Sequence, residues 1–415
     1  MNRILIVALL SSVMATPSAM AEVTDAEFEQ LREQLAAMSD RLDKLAAENA
    51  ELRQAQAVEP VAPEDSWSDR IKLDGDFRYR YETIDVEGDN KRRRNRIRAR
   101  TNITAKVAEN VDVGFGLATG GDDPVSTNQT LGAGGSSKSI ALNLAYVDWE
   151  ALDGLHLVAG KFKNPLLRVG GQGLLWDGDW TPEGLAFKYQ RDWFFINAFG
   201  SFLESDSKDN QDSFAWGGQF GGTATFGELQ LTGGLAYYDI EARGKSTPFG
   251  DPGNPEDFFG NTAVEAGGFA CGTNAGTECF YLHDYQLTEV FAEASFELGN
   301  LPVSVFADYV ENGDVSINNS GWTVGAKIGQ AKDRGQMQFA YYYADKGADS
   351  TLGLLTDSDF GGGGTDNKGH WLKFDYGVSK SWTIGAQYFI NEFELSTGSS
   401  RDFDRLMIDM QWKWR

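Results

Sequence analysis

The chain has 415 residues, with 61 Asp and Glu against 37 Lys and Arg, a formal net charge of -24, 12% aromatic residues and two cysteines. So acidic a polypeptide excludes nucleic acid as a partner, and two cysteines exclude a disulfide scaffold. No run of about eighteen apolar residues follows the N-terminus, which excludes helical membrane spans.

Residues 1–21 combine one cation, Arg3, an apolar run from Ile4 to Leu10, and Ala19-Met20-Ala21 with small residues at the positions a signal peptidase reads. That pattern predicts a secretory signal rather than a buried helix. Its removal deletes only Arg3 and takes the net charge from -24 to -25. Export to an oxidising compartment suits Cys271 and Cys279, eight residues apart, to one small disulfide loop; two buried free thiols are the other reading.

Residues 22–57 are rich in Ala, Glu, Leu, Gln and Arg, without Gly or Pro. Phe28, Leu31, Leu35, Met38, Leu42, Leu45, Asn49 and Leu52 recur at alternating steps of three and four, an a/d seam over nearly four heptads. The spacing predicts a periplasmic coiled coil with other copies, register being fixed by Asn49 at an a position. A single amphipathic helix on the membrane is the alternative, against which the narrow stripe argues. Residues 58–69, with Pro60 and Pro63, read as a stiff linker.

From residue 70 to 415 the period becomes two. In RIKLDGDFRYRYE, Ile71, Leu73, Phe77, Tyr79 and Tyr81 alternate with Lys72, Asp74, Asp76, Arg78, Arg80 and Glu82, giving one apolar and one charged face. About sixteen such segments begin near residues 70, 94, 111, 139, 155, 184, 193, 214, 229, 285, 301, 321, 336, 371, 382 and 402. Short turns such as Glu109-Asn110 and Gly299-Asn300 alternate with long loops rich in Gly, Asp, Asn and Ser. The expected fold is all-β: a transmembrane antiparallel β-barrel of about sixteen strands, preceded by the coiled coil. Aromatic residues placed at strand ends argue against a soluble β-sandwich. Small inward residues (Gly114, Gly116, Ala118, Gly325, Gly329) argue for open space inside the barrel.

KRRRNRIRAR, Lys91 to Arg100, then has a geometric meaning. Ile97, Ala99 and Ile103 are odd and face lipid; Arg94, Arg96, Arg98, Arg100 and Lys106 are even and face inward, joined by Arg78 and Arg80. The opposite register would put arginines in hydrocarbon at roughly 2–4 kcal/mol each. Lys161, Lys163 and Lys188 are expected to extend this basic ladder around the pore wall. Either the ladder attracts anions, or Asp74, Asp76 and Glu82 on the same face neutralise it; the surplus of cations favours anion preference.

Acidic residues concentrate in the long loops, where carboxylates suit bridging to lipopolysaccharide by divalent cations, or Ca²⁺ itself. No segment matches a twelve-residue calcium loop, so solvated loops are the simpler reading and no metal site or cofactor is expected. The loop from Glu241 to His283, the longest, could fold inward as a constriction. His156, His283 and His370 are scattered, and no catalytic motif is present, so no enzyme and no catalytic residue is expected. A rival to a pore is an envelope tether, a plugged barrel whose helix of about 50 Å reaches toward peptidoglycan.

GKFKNP at Gly160–Pro165, LLWDGDWTPEGLAFKY at Leu174–Tyr189 and DSDFGGGGTDNKGH at Asp357–His370 resemble the putative porins of Gram-negative outer membranes that carry a short periplasmic coiled coil. The resemblance implies a homotrimeric sixteen-stranded pore in the outer membrane, embedded in lipid and lipopolysaccharide, for passive diffusion of small hydrophilic solutes. Phosphate- and dicarboxylate-type relatives make an anionic solute the expected cargo.

Overall fold

A computed structural model describes residues 25–55, 67–205, 208 and 211–415. The expected signal segment 1–21 and linker residues 58–66 lie outside the described residues, as do the side chains of Phe28, Leu31, Leu35, Asn49 and Leu52. Asp25–Ala55 forms one α-helix (α1). On it Met38 and Leu42 are each 63% exposed, and Leu45 is 49% exposed.

The barrel begins with β1 (Ile71–Val86), β2 (Arg92–Ala108), β3 (Val111–Thr119) and β4 (Ile140–Leu152). It continues through β5 (Leu155–Lys161), β6 (Glu183–Arg191), β7 (Phe194–Glu204) and β8 (Ser213–Phe226). Next come β9 (Leu229–Ile240), β10 (Tyr285–Leu298), β11 (Leu301–Asn312) and β12 (Ser320–Gly329). The last four are β13 (Met337–Lys346), β14 (Asn367–Ser379), β15 (Trp382–Phe393) and β16 (Arg401–Trp414). Each strand pairs antiparallel with its sequence neighbour, and β1 closes the sheet on β16 with Tyr79 opposite Met410. Closure leaves no unpaired edge, which a strand in hydrocarbon could not tolerate. An even count puts both ends of the barrel at the side of the short turns.

The alternation is the one the sequence predicts for β1 and β2. Leu73, Phe77, Tyr79 and Ile103 are exposed, whereas Asp76, Arg80, Glu82 and Arg98 are buried. Exposed apolar residues of the other strands complete a lipid-facing band. Phe202, Trp216, Tyr237, Tyr309 and Trp322 rim its loop end, and Trp149, Trp193, Phe226 and Trp414 its turn end, as aromatic girdles do.

The lumen is not a uniform tube. Residues 162–182, between β5 and β6, and residues 347–366, between β13 and β14, fold inward and clamp each other. Asp177 N donates to Leu355 O (2.7 Å), and Asp357 N donates to Gly173 O (3.1 Å). Trp176, Leu174 and Leu175 of the first loop and Leu352, Leu354 and Leu355 of the second pack with inward Phe199, Tyr238, Ile240, Leu287 and Val310. The β6–β11 side of the barrel is therefore a packed core. Gly361, Gly362, Gly363 and Gly364 have φ of 61°, 87°, 105° and 81°, a run of left-handed backbone that only glycine adopts without strain. They give the second loop its fold.

Inward glycine does not mark free volume here. A Cβ on Gly114 would meet the Tyr146 ring, and one on Gly325 would meet Phe306 and Tyr342. Larger neighbours fill the space that the small residues were expected to leave. The 241–284 loop covers the loop end: Asn261 Nδ2 donates to Ala348 O and Thr351 O (2.8 Å each), and Phe258 is fully buried. It braces the second infolded loop, and the residues that narrow the lumen come from 162–182 and 347–366.

Cys271 and Cys279 form a disulfide, Cα to Cα 5.5 Å, beside the short ribbon Ala263–Glu265/Cys279–Tyr281. Closing so short a span restrains the unfolded loop by about 2.5 kcal/mol in the chain-entropy picture. Reduction is expected to open residues 266–278 to protease while leaving the barrel strands protected; cleavage within the strands would contradict this.

Candidate functional site: the charged constriction

The basic wall follows from strand register. Antiparallel pairing sets Asp76 opposite Arg100, Arg78 opposite Arg98, Arg80 opposite Arg96, and Glu82 opposite Arg94. Two arginine pairs thus sit in the middle with a carboxylate at either end. On the other flank of β1, Asp409 of β16 lies opposite Arg80.

The carboxylates engage these arginines closely. Arg80 Nε donates to Asp409 Oδ1 at 2.7 Å, and Arg100 Nη2 to Asp76 Oδ2 at 2.7 Å. Glu82, with no exposed surface, meets Arg94, Arg96 (4.0 Å) and Arg405 (2.7 Å). From the first infolded loop Asp179 reaches Arg98 (3.6 Å) and Arg100 (2.8 Å). From the second, Asp359 reaches Arg80 (3.2 Å) and Arg405 (2.9 Å). Arg78 meets no carboxylate among the described residues; its Nη2 donates to Asn128 Oδ1 at 2.6 Å. Seven arginines are therefore matched with five carboxylates.

Two open spaces flank Asp179. One, of about 380 Å³, is lined by Arg78, Arg80, Arg98, Lys327, Lys373 and Trp371, together with Asp177, Asp179, Asp357 and Asp359. The other, of about 440 Å³, is lined by Asp76, Arg100, Lys163, Arg168 and Arg415. Gly178 and Asp179 belong to both linings.

The lysines predicted to extend the ladder part company. Lys163 lines the second space. Lys188 faces inward but pairs with Asp148 (3.4 Å), which also holds His156 (2.8 Å). Lys106 is exposed beside the β2–β3 turn. Lys161 is a correction: it shares the parity of exposed Leu157, and its Nζ donates to Glu183 Oε1 (2.6 Å) on the parity of exposed Leu185. It belongs to the outer rim, because an inward turn at Phe162 starts the infolded loop one residue later. Missed altogether were Arg405 and Asp409 on β16, Lys327, Lys373, and the loop aspartates. The signal for the last was present. WDGDW and DSDF each space two aspartates by two, and in both the first carboxylate accepts from the second residue's N–H: Asp177 Oδ1 from Asp179 N (2.6 Å) and Asp357 Oδ1 from Asp359 N (2.8 Å). One turn chemistry thus presents both loops to the arginines.

The four loop aspartates titrate in opposite directions. Burial pushes the Asp177 carboxyl well up, helped by the neighbouring Asp357 and Asp179 carboxylates. Burial likewise raises Asp357, beside Asp359. Burial opposes ionisation of Asp179 and Asp359 too, but Arg98 and Arg100 hold the first below the usual carboxylate range, and Arg405 and Arg80 the second. Asp179 and Asp359 therefore stay charged at neutral pH, while Asp177 gains its charge only as pH rises. Added negative charge repels anions, so a zero-current potential on the anion side is expected to shrink as pH rises through the raised titration of Asp177. Asp177→Asn is expected to flatten that slope; an unchanged slope would contradict the assignment. Among the described residues no three His, Cys, Asp or Glu side chains gather to hold a metal ion.

A profile of the putative porin family matches residues 85–275 and 268–414, together about four-fifths of the chain. The chain belongs to the putative porin family. The porin barrel is similar in fold to OprB of Pseudomonas putida, solved at high pH, with 12% identity, a TM-score of 0.55, and coverage of 85% of this chain and 96% of that one. It is also similar to a loop L8 deletion mutant of OmpT from Vibrio cholerae (14%, TM-score 0.47, 83% and 100%). A triple mutant of Rhodopseudomonas blastica porin matches comparably (12%, 0.46, 83% and 100%). No curated protein matches the sequence. Family and fold together make this porin an outer-membrane β-barrel.

Proposed function

We propose that this porin is a passive diffusion pore for small hydrophilic solutes, with a preference for anions. The observation that carries the preference is the charge count of the ion-paired network on the basic wall: seven arginines against five carboxylates, with Arg78 in no ion pair among the described residues. In a narrow lumen with low-dielectric walls an uncancelled positive charge is focused rather than dispersed. The carboxylates also fix the arginines in place, so wall structure and residual charge come from the same network.

The exposed seam residues Met38, Leu42 and Leu45 support self-association of α1 as a periplasmic coiled coil. A homotrimer, contact with peptidoglycan through that coil, and Ca²⁺ or lipopolysaccharide at the acidic loops belong to the same reading. One observation favours the rival tether: the β6–β11 side of the lumen is packed shut. Against it, spaces of about 380 and 440 Å³ lie open beside the arginines. Liposome swelling separates the two. Vesicles carrying the refolded protein are expected to swell in isotonic solutions of small sugars and organic anions, faster for the anions; vesicles that do not swell would leave the tether.

A further inference from the structure

The space of about 380 Å³ beside Arg78 has two chemically different kinds of lining. Arg78, Arg80 and Arg98, with Asp177, Asp179, Asp357 and Asp359, make up its charged lining; the rings of Tyr342, Trp371 and Phe389 make up its aromatic lining. Tyr342 and Phe389 are buried because Phe360 of the infolded loop packs on both. Trp371 differs. One face stacks on Tyr342 (centroids 4.7 Å apart), its Nε1 donates to Gln387 Oε1 (3.2 Å), and the ring remains half-buried on the cavity wall.

Packing on Tyr342 and the buried cluster accounts for one side of the indole, and the rest is apolar surface left half-wet on the cavity wall. The same cavity holds two cations that no carboxylate approaches within ion-pairing distance among the described residues. One is Arg78, whose Nε is buried without an acceptor. The other is Lys327. A planar apolar surface beside an uncompensated guanidinium suits an anion with a flat apolar body, and the volume lies within the range of small-ligand pockets.

Resting on the reading of the chain as an anion-preferring pore, we infer that this cavity is a saturable subsite for small aromatic carboxylates. The carboxylate seats on the Arg78 guanidinium, where a fork of donors matches its two oxygens. The ring lies along Trp371 and gains the contact area that an aliphatic or inorganic anion lacks.

Current block tests it, with benzoate, acetate and inorganic phosphate as the probes added to single channels in KCl. Benzoate is expected to block saturably, at a half-blocking concentration roughly two- to tenfold below that of acetate or phosphate, the increment that one stacked ring supplies. Trp371→Leu is expected to erase the difference between benzoate and acetate. Arg78→Gln is expected to weaken both. The wild-type comparison needs no variant, so a misfolded mutant does not leave the question open. Equal responses to all three probes, or a benzoate effect that never saturates, would overturn the subsite while leaving anion preference standing. A cation-preferring wild type, seen in KCl before any benzoate is added, would overturn both.

Discussion

Glu82→Gln is expected to destabilise the barrel by about 3–5 kcal/mol, the range for removing one partner of a buried charge group. Glu82 has no exposed surface and is the shared counterion of Arg94, Arg96 and Arg405. The isosteric amide keeps the shape and one acceptor but removes the charge, leaving three guanidinium groups facing one another in a confined lumen. Arg405 retains Asp359 at 2.9 Å, whereas Arg94 and Arg96 have no other carboxylate within 4 Å among the described residues. The measurement is the temperature at which the folded, fast-migrating band converts to the unfolded band on a semi-native gel. Glu82→Gln should convert well below wild type, and Glu82→Gln with Arg94→Gln should recover part of the loss, because the second change relieves the repulsion. A double variant as weak as the sum of the singles would mean that Glu82 acts through packing alone.

Arg78→Gln with Arg96→Gln is expected to abolish anion preference with little loss of conductance. It leaves five arginines against five carboxylates at the constriction. One uncancelled charge about 10 Å from a passing ion, at an effective dielectric of 20, is worth about 1.7 kcal/mol, or more than tenfold. Screening at physiological salt, with a Debye length of about 8 Å, reduces this. The expected change in the chloride-to-potassium permeability ratio is therefore roughly three- to tenfold, and larger at low salt. Arg78 and Arg96 suit the test because Arg78 has no carboxylate partner and Arg96 only a distant one (4.0 Å), so their removal strands no buried anion. A permeability ratio that does not move would place the selectivity elsewhere.

The strand count, the parity of β1 and β2 and the short-turn end were legible because lipid outside and charge inside write opposite residue types onto alternate positions. Legibility ended where the inward face is also apolar. On β10, Tyr285, Leu287 and Phe291 point inward against the infolded loops, so polarity no longer distinguishes the faces. On β4 a bulge near Asn143 shifts the register and interrupts the period. The loop side of the constriction could not be read by strand periodicity. Its aspartates ride on two loops whose course depends on tertiary contacts such as Gly170 N to Glu293 Oε2 (2.7 Å) and Gln172 Nε2 to Asp308 Oδ2 (2.6 Å). Lys161 is different: it is the last residue of β5, and the strand's own parity puts it on the outward side with Leu157. Within the basic stretch Arg94, Arg96, Arg98 and Arg100 line the inner wall, and their carboxylate partners are Glu82 and Asp76 on neighbouring β1 and Asp179 on a loop far away in sequence.

The most direct test is the zero-current potential of the wild-type pore in a planar bilayer across a KCl gradient at neutral pH. A potential on the chloride side is expected, because the ion-paired network on the basic wall carries two more arginines than carboxylates. A potential on the potassium side, or none, would mean that the carboxylates cancel the ladder completely and that the arginines serve the wall alone.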